Sequence, residues 1–83
     1  MTQGERIREV RKALGLTLEK FGEKIGMKKN SVSQLENGKN SVTEQVVKAI
    51  CREYNVDYMW LTTGDGEMFI DTDDDFIERI DRI

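Results

Sequence analysis

The chain has 83 residues with no proline, no histidine, a single cysteine and a net charge of −3. A chain of this length builds one small core, and one thiol closes no internal disulfide. Without histidine the commonest acid–base group and metal ligand is missing, and no cysteine or carboxylate cluster stands in for it, so an enzyme, a metal site and a cofactor are not expected.

No apolar run approaches the roughly 20 residues of a membrane span, and the polar N-terminus does not read as a signal peptide. A cytoplasmic protein without a membrane partner is expected, and a lone cysteine fits a reducing compartment. Nothing in the sequence points to a small-molecule ligand. The charge is unevenly spread. Residues 1–40 carry nine Lys/Arg against five Glu, whereas residues 64–83 carry eight acids against two Arg. Local charge on a binding face steers a polyanion partner, and the total does not.

In chain order, Thr2 and Glu5 have capping-box spacing and start a first helix at Thr2 or Gln3. Ile7, Val10 and Leu14 form its apolar stripe, with Ala13 alongside, and Glu5, Arg6, Arg8, Glu9 and Lys12 its charged outer face. Gly15 ends it, and Leu16 turns back toward the core. Thr17 caps a second helix, in which Leu18, Phe21 and Ile25 share a side and Gly22 lets a neighbour approach closely. Gly26 suits the left-handed position that ends this helix. A third helix spans about residues 28–37, although Lys28 is a poor cap. At 100° per residue, Lys29, Asn30, Ser33, Gln34 and Asn37 fall within an arc of roughly 140°, with Val32 and Leu35 opposite. Two short helices joined by a tight Gly turn make a helix-turn-helix pattern.

Gly38 ends the third helix, followed by the polar loop Lys39, Asn40, Ser41 and Val42. Thr43 caps a fourth helix whose buried side is Val46, Val47, Ile50, Cys51 and Tyr54, with Asn55 as a left-handed exit. Cys51 reads as a small buried apolar group. Val56 and Leu61 flank Asp57 as a hydrophobic staple around a fifth helix, YMWL. Residues 1–64 therefore form one domain and residues 65–83 an acidic segment. There Phe76, Ile77, Ile80 and Ile83 follow helical spacing after acids that suit the helix dipole. These four, with Trp60, either pack on their own domain or pair with a second copy.

The run from Arg6 to Leu61 resembles the phage-repressor-like helix-turn-helix proteins, the XRE-type group of lambda and 434 repressors and Cro. The residues that carry the likeness are RIREVRKALGLT, FGEKIGM, SVSQLENGK and VVKAIC...NVDYMWL. The resemblance implies an all-α, five-helix lambda-repressor-like DNA-binding domain, here with a short C-terminal amphipathic helix added. It also implies a transcriptional regulator, most often a repressor, that binds double-stranded operator DNA as a homodimer. By position the family's base-reading sites fall on Lys29, Asn30, Ser33 and Gln34, and its phosphate contacts on Thr17, Asn37, Lys39 and Asn40. The chemistry agrees, because Lys donates to guanine O6 and N7 and Asn or Gln can pair bidentately with adenine. Ordinary loop polarity would equally account for Lys39 and Asn40.

The resemblance further implies an ion pair between Arg11 and Glu36 that belongs to the scaffold. Leu18 departs from the family, which often has Gln there, so the contact of that Gln is expected to be missing. Two other functions fit the same residues: a DNA-binding antitoxin whose tail captures a toxin, or a protein-interaction module that has lost DNA binding.

Overall fold

The computed structural model describes residues 1–70. Phe76, Ile77, Ile80, Ile83 and the acidic run before them lie outside the described residues. Five helices follow one another, α1 (Gln3–Ala13), α2 (Leu18–Ile25), α3 (Lys29–Glu36), α4 (Glu44–Tyr54) and α5 (Tyr58–Thr63). Four of the five starts are fixed by a side chain. Thr2, Thr17, Thr43 and Asp57 accept the backbone N–H of Glu5, Lys20, Val46 and Trp60, respectively. Each thereby satisfies a donor that a helix leaves without an internal partner. Lys28 precedes α3 with no side-chain cap. Gly26 and Asn55 take the left-handed exits of α2 and α4.

The apolar stripes of all five helices meet in one core of Ile7, Val10, Phe21, Val32, Leu35, Val47, Ile50, Val56 and Leu61. Phe21 stacks on Tyr54 with ring centroids 4.8 Å apart, and the Tyr54 hydroxyl donates to the Phe21 carbonyl at 2.9 Å. An aromatic pair of this kind adds about 1 kcal/mol beyond the area it buries. The phenol also keeps its polar end satisfied. Cys51 and Trp60 are half-buried and pack against this core, and burial pushes the Cys51 thiol above its ordinary pKa, with Asp57 and Glu44 adding to the effect.

Two glycines set how closely the helices approach. A Cβ on Gly22 would run into the carbonyl of Met27 and the side chain of Val32, so the turn between α2 and α3 closes only over a bare backbone. A Cβ on Gly4 would run into the carbonyls of Leu35 and Glu36. Thus α1 lies directly on the C-terminal end of α3.

The frame departs from the sequence reading at Leu14, at Arg6 and after Gly64. Leu14 is not part of the apolar stripe: it follows the last residue of α1 and is 38% exposed. The helix stops before that position turns inward, and Gly15 at φ 69° redirects the chain. Arg6 is not on the outer face. It is buried, donating to the carbonyls of Leu61 at 2.8 Å, Thr62 at 3.0 Å and Met1 at 3.0 Å. The guanidinium's five donors suit the orphan carbonyls that end α5. Finally, the packed unit does not stop at Gly64. Val56 and Phe69 form an antiparallel bridge, the Asp57 N–H donates to Met68 O, and the Ile70 N–H donates to Asn55 O. Met68 and Phe69 rest on the core.

Candidate nucleic-acid interface

Helix α3 has two chemically distinct sides because its sequence alternates at helical spacing. Val32, Leu35 and Glu36 are buried, while Lys29, Asn30, Gln34 and Asn37 are exposed and Ser33 is half-buried. The expected base-reading set therefore shares one outward face. Thr17, Lys39 and Asn40 are exposed as well. Thr17 already accepts from Lys20 N–H at 3.1 Å, which leaves its hydroxyl proton free for a phosphate oxygen. Lys28, Lys29 and Lys39 are exposed at the ends of α3, so the outward side carries donors and positive charge together.

The rear of α3 is held by charge. Glu36, only 4% exposed, accepts from Arg11 Nε at 2.7 Å and from Arg11 Nη2 at 3.2 Å. Arg8 Nε stands 3.4 Å from the same carboxylate. The bond to Glu36 raises the Arg11 pKa above its ordinary value, and burial opposes this. Arg11 also donates to the Leu16 carbonyl at 3.0 Å, tying α1, the following loop and α3 together. The sequence pattern puts Arg8 among the solvated charges of α1, whereas in the structure it reaches the Glu36 carboxylate.

The outward face is itself cross-linked by hydrogen bonds. Arg8 Nη2 donates to Asn37 Oδ1 at 2.8 Å, and Asn37 Nδ2 donates to Ser33 Oγ at 3.3 Å. Asn40 Nδ2 donates to Gln34 Oε1 at 2.7 Å, and the Asn40 N–H also reaches the Gln34 carbonyl at 3.3 Å. A bidentate contact from Gln34 to adenine would use an oxygen that already has one partner. Trp60 is half-buried on α5 beside the more exposed Tyr58 and Met59, the latter 55% exposed. Among the described residues, no group of His, Cys, Asp and Glu side chains is placed to hold a metal ion, and no helix is long and apolar enough to cross a membrane.

A polar helix presented outward by a capped partner helix and anchored from behind on a five-helix frame defines a DNA-binding type of helix-turn-helix domain. The chain belongs to the helix-turn-helix family, which matches residues 7–61. Its fold is similar to that of the P22 c2 repressor, solved in complex with a synthetic operator. The TM-score is 0.71 and the identity 26%, over 78% of this chain and 98% of that one. In sequence it is 37% identical over 67 residues to a propionyl-CoA carboxylase regulator of Cereibacter sphaeroides, covering 81% of this chain and 14% of that protein. It is 34% identical over 71 residues to the antitoxin PezA of Streptococcus pneumoniae, covering 86% and 44%. It is 33% identical over 67 residues to a helix-turn-helix transcriptional regulator for the conjugative element R391 of Providencia rettgeri, covering 81% and 31%. The chain spans less than half the length of each of these three relatives.

Proposed function

We propose that the protein is a sequence-specific double-stranded DNA-binding transcriptional regulator that represses by occupying an operator as a homodimer. The observation that carries this reading is the outward face of α3. It presents Lys29, Asn30, Ser33 and Gln34 to solvent beside Lys28 and Lys39, while Glu36 behind them is neutralised by two arginines. The helix enters the major groove with Lys29, Asn30, Ser33 and Gln34 reading base edges. Thr17, Asn37, Lys39, Asn40 and nearby backbone N–H groups grip phosphate. Two copies joined through the Trp60 side of α5 and the segment beyond it, including Phe76, Ile77, Ile80 and Ile83, would set two such helices about 34 Å apart, one turn of duplex. Bound DNA is then closed to polymerase.

Similarity to an antitoxin supports a second reading, in which the same domain binds its own promoter and the acidic segment holds a toxin. Selecting bound sites from random duplex DNA tests the first reading. An inverted repeat with half-sites one turn apart is expected, and no enriched sequence would overturn it. Co-purification of a small basic protein would favour the second.

A further inference from the structure

We infer that Arg8 and Asn37 are specificity-determining positioning residues, fixing Ser33 as a hydrogen-bond donor toward the major groove. This rests on the DNA-reading function proposed above and names which base atoms one position of that face selects.

The argument starts from what each group can do. Arginine has donors and no acceptor, so the contact of Arg8 Nη2 with Asn37 at 2.8 Å engages the amide oxygen, Oδ1. The orientation of the Asn37 amide is thereby settled, and Nδ2 faces Ser33 Oγ at 3.3 Å. Nδ2 is a donor, so Ser33 accepts with one of its two lone pairs, and its own proton goes unused among the described residues. Arg8 is held in place in turn, because its Nε lies 3.4 Å from the buried Glu36 carboxylate. Charge at the rear of α3 thus sets hydrogen-bond polarity at its front. The pair Asn40–Gln34 lacks this property, since two amides can turn over together and keep their bond.

With one of its two lone pairs engaged and its proton unspent, Ser33 favours an acceptor on the base edge. In the major groove these are N7 and O6 of guanine, N7 of adenine and O4 of thymine, whereas cytosine offers only its N4 amino group. The position facing Ser33 therefore disfavours cytosine.

The test uses the full 83-residue chain and sites selected from random duplex DNA. Ser33→Ala identifies the base pair concerned, where the preference is expected to fall by about 5-fold to 10-fold, the worth of one hydrogen bond. Asn37→Asp keeps the shape and the Arg8 contact but offers only acceptors, so the Ser33 proton turns inward. The preference at that base pair is expected to move toward cytosine, on top of a uniform loss of affinity from the added negative charge at the phosphate-facing side. In the Ser33→Ala background Asn37→Asp is expected to move nothing there. Arg8→Met, which lets the amide turn over, is expected to flatten the preference at that base pair alone. The inference is overturned if Asn37→Asp or Arg8→Met lowers affinity for all sequences equally while the preference stays. It is also overturned if Ser33→Ala changes no position. If the unaltered protein enriches no sequence, the function proposed above fails as well, a separate and recognisable result.

Discussion

The two sides of α3 obey different physics although they are built from the same eight residues. The inner side is fixed by geometry. Gly4 lets α1 touch its backbone, and the buried Glu36 is tied to Arg11 at 2.7 Å. The outer side is fixed by chemistry: its side chains are exposed or half-buried and are joined by hydrogen bonds between polar groups. The contrast teaches that packing and an exposed polar face lie about half a turn of helix apart, with Arg8 touching both through Glu36 and Asn37.

The most severe way to break that contrast is at the contact between α1 and α3. Gly4→Val places a branched side chain against the carbonyls of Leu35 and Glu36, which are backbone and cannot turn aside. A loss of about 3 kcal/mol is expected from such overpacking, measured by urea denaturation, with DNA binding lost only as far as the fold is lost. Next is Arg11→Met, which leaves the Glu36 carboxylate with Arg8 alone. Removing one partner of a buried pair costs ~3–5 kcal/mol. Because Arg11 and Arg8 are partly solvated, about 2 kcal/mol is expected here. The double variant Arg11→Met/Glu36→Leu should recover much of it, and a double variant worse than the single one would show the pair to be worth more than its burial costs.

The outer side should respond in the opposite sense. Lys29→Ala and Gln34→Ala are each expected to reduce discrimination between sites by about 1–2 kcal/mol, with the urea midpoint essentially unmoved. A shift in stability of more than about 0.5 kcal/mol would mean the two sides are not independent. Lys39→Ala is a gentler change. It should weaken binding to all sequences alike and reduce the slope of log K against log salt by about one.

The smallest effect lies at the start of α1. Glu5 is held below its ordinary pKa, chiefly by the Thr2 N–H that it accepts. A depressed carboxylate stabilises the fold above its unfolded pKa, and that contribution disappears as pH falls through the lower folded value. The stability of Glu5→Gln should therefore converge on that of the unaltered protein in acid, and remain slightly below it at neutral pH.

Much of this was legible because it is local. Thr2, Thr17, Thr43 and Asp57 announce helix starts through bonds to residues three positions on. Gly22 and the outward set on α3 follow from helical spacing. What was hidden involves partners far along the chain. Gly4 meets Leu35, and Arg6 meets Leu61 and Thr62. A signal for Arg6 did exist, since it lies about 40° from Val10 around the helix and so on the apolar side. Its charge argued the other way, because the carbonyls that take it up could not be seen. Leu14 misled in the reverse direction, for it keeps the period of α1 but comes after that helix has ended. The pairing of 68–70 with 55–57 rests on three residues without alternation, too few to read as a strand.

The Arg6 clasp bears on how the protein is made. Two of its three acceptors lie 55 and 56 residues downstream, so while the chain is still leaving the ribosome this guanidinium has only the Met1 carbonyl to hold. The opening helix must wait, solvated at that end, until Leu61 and Thr62 emerge, and synthesis at about 5–20 residues per second makes that a delay of seconds. Closure of the domain is thus timed by translation of its fifth helix, and a stalled nascent chain ending before Leu61 would display a loose first helix to any waiting protease.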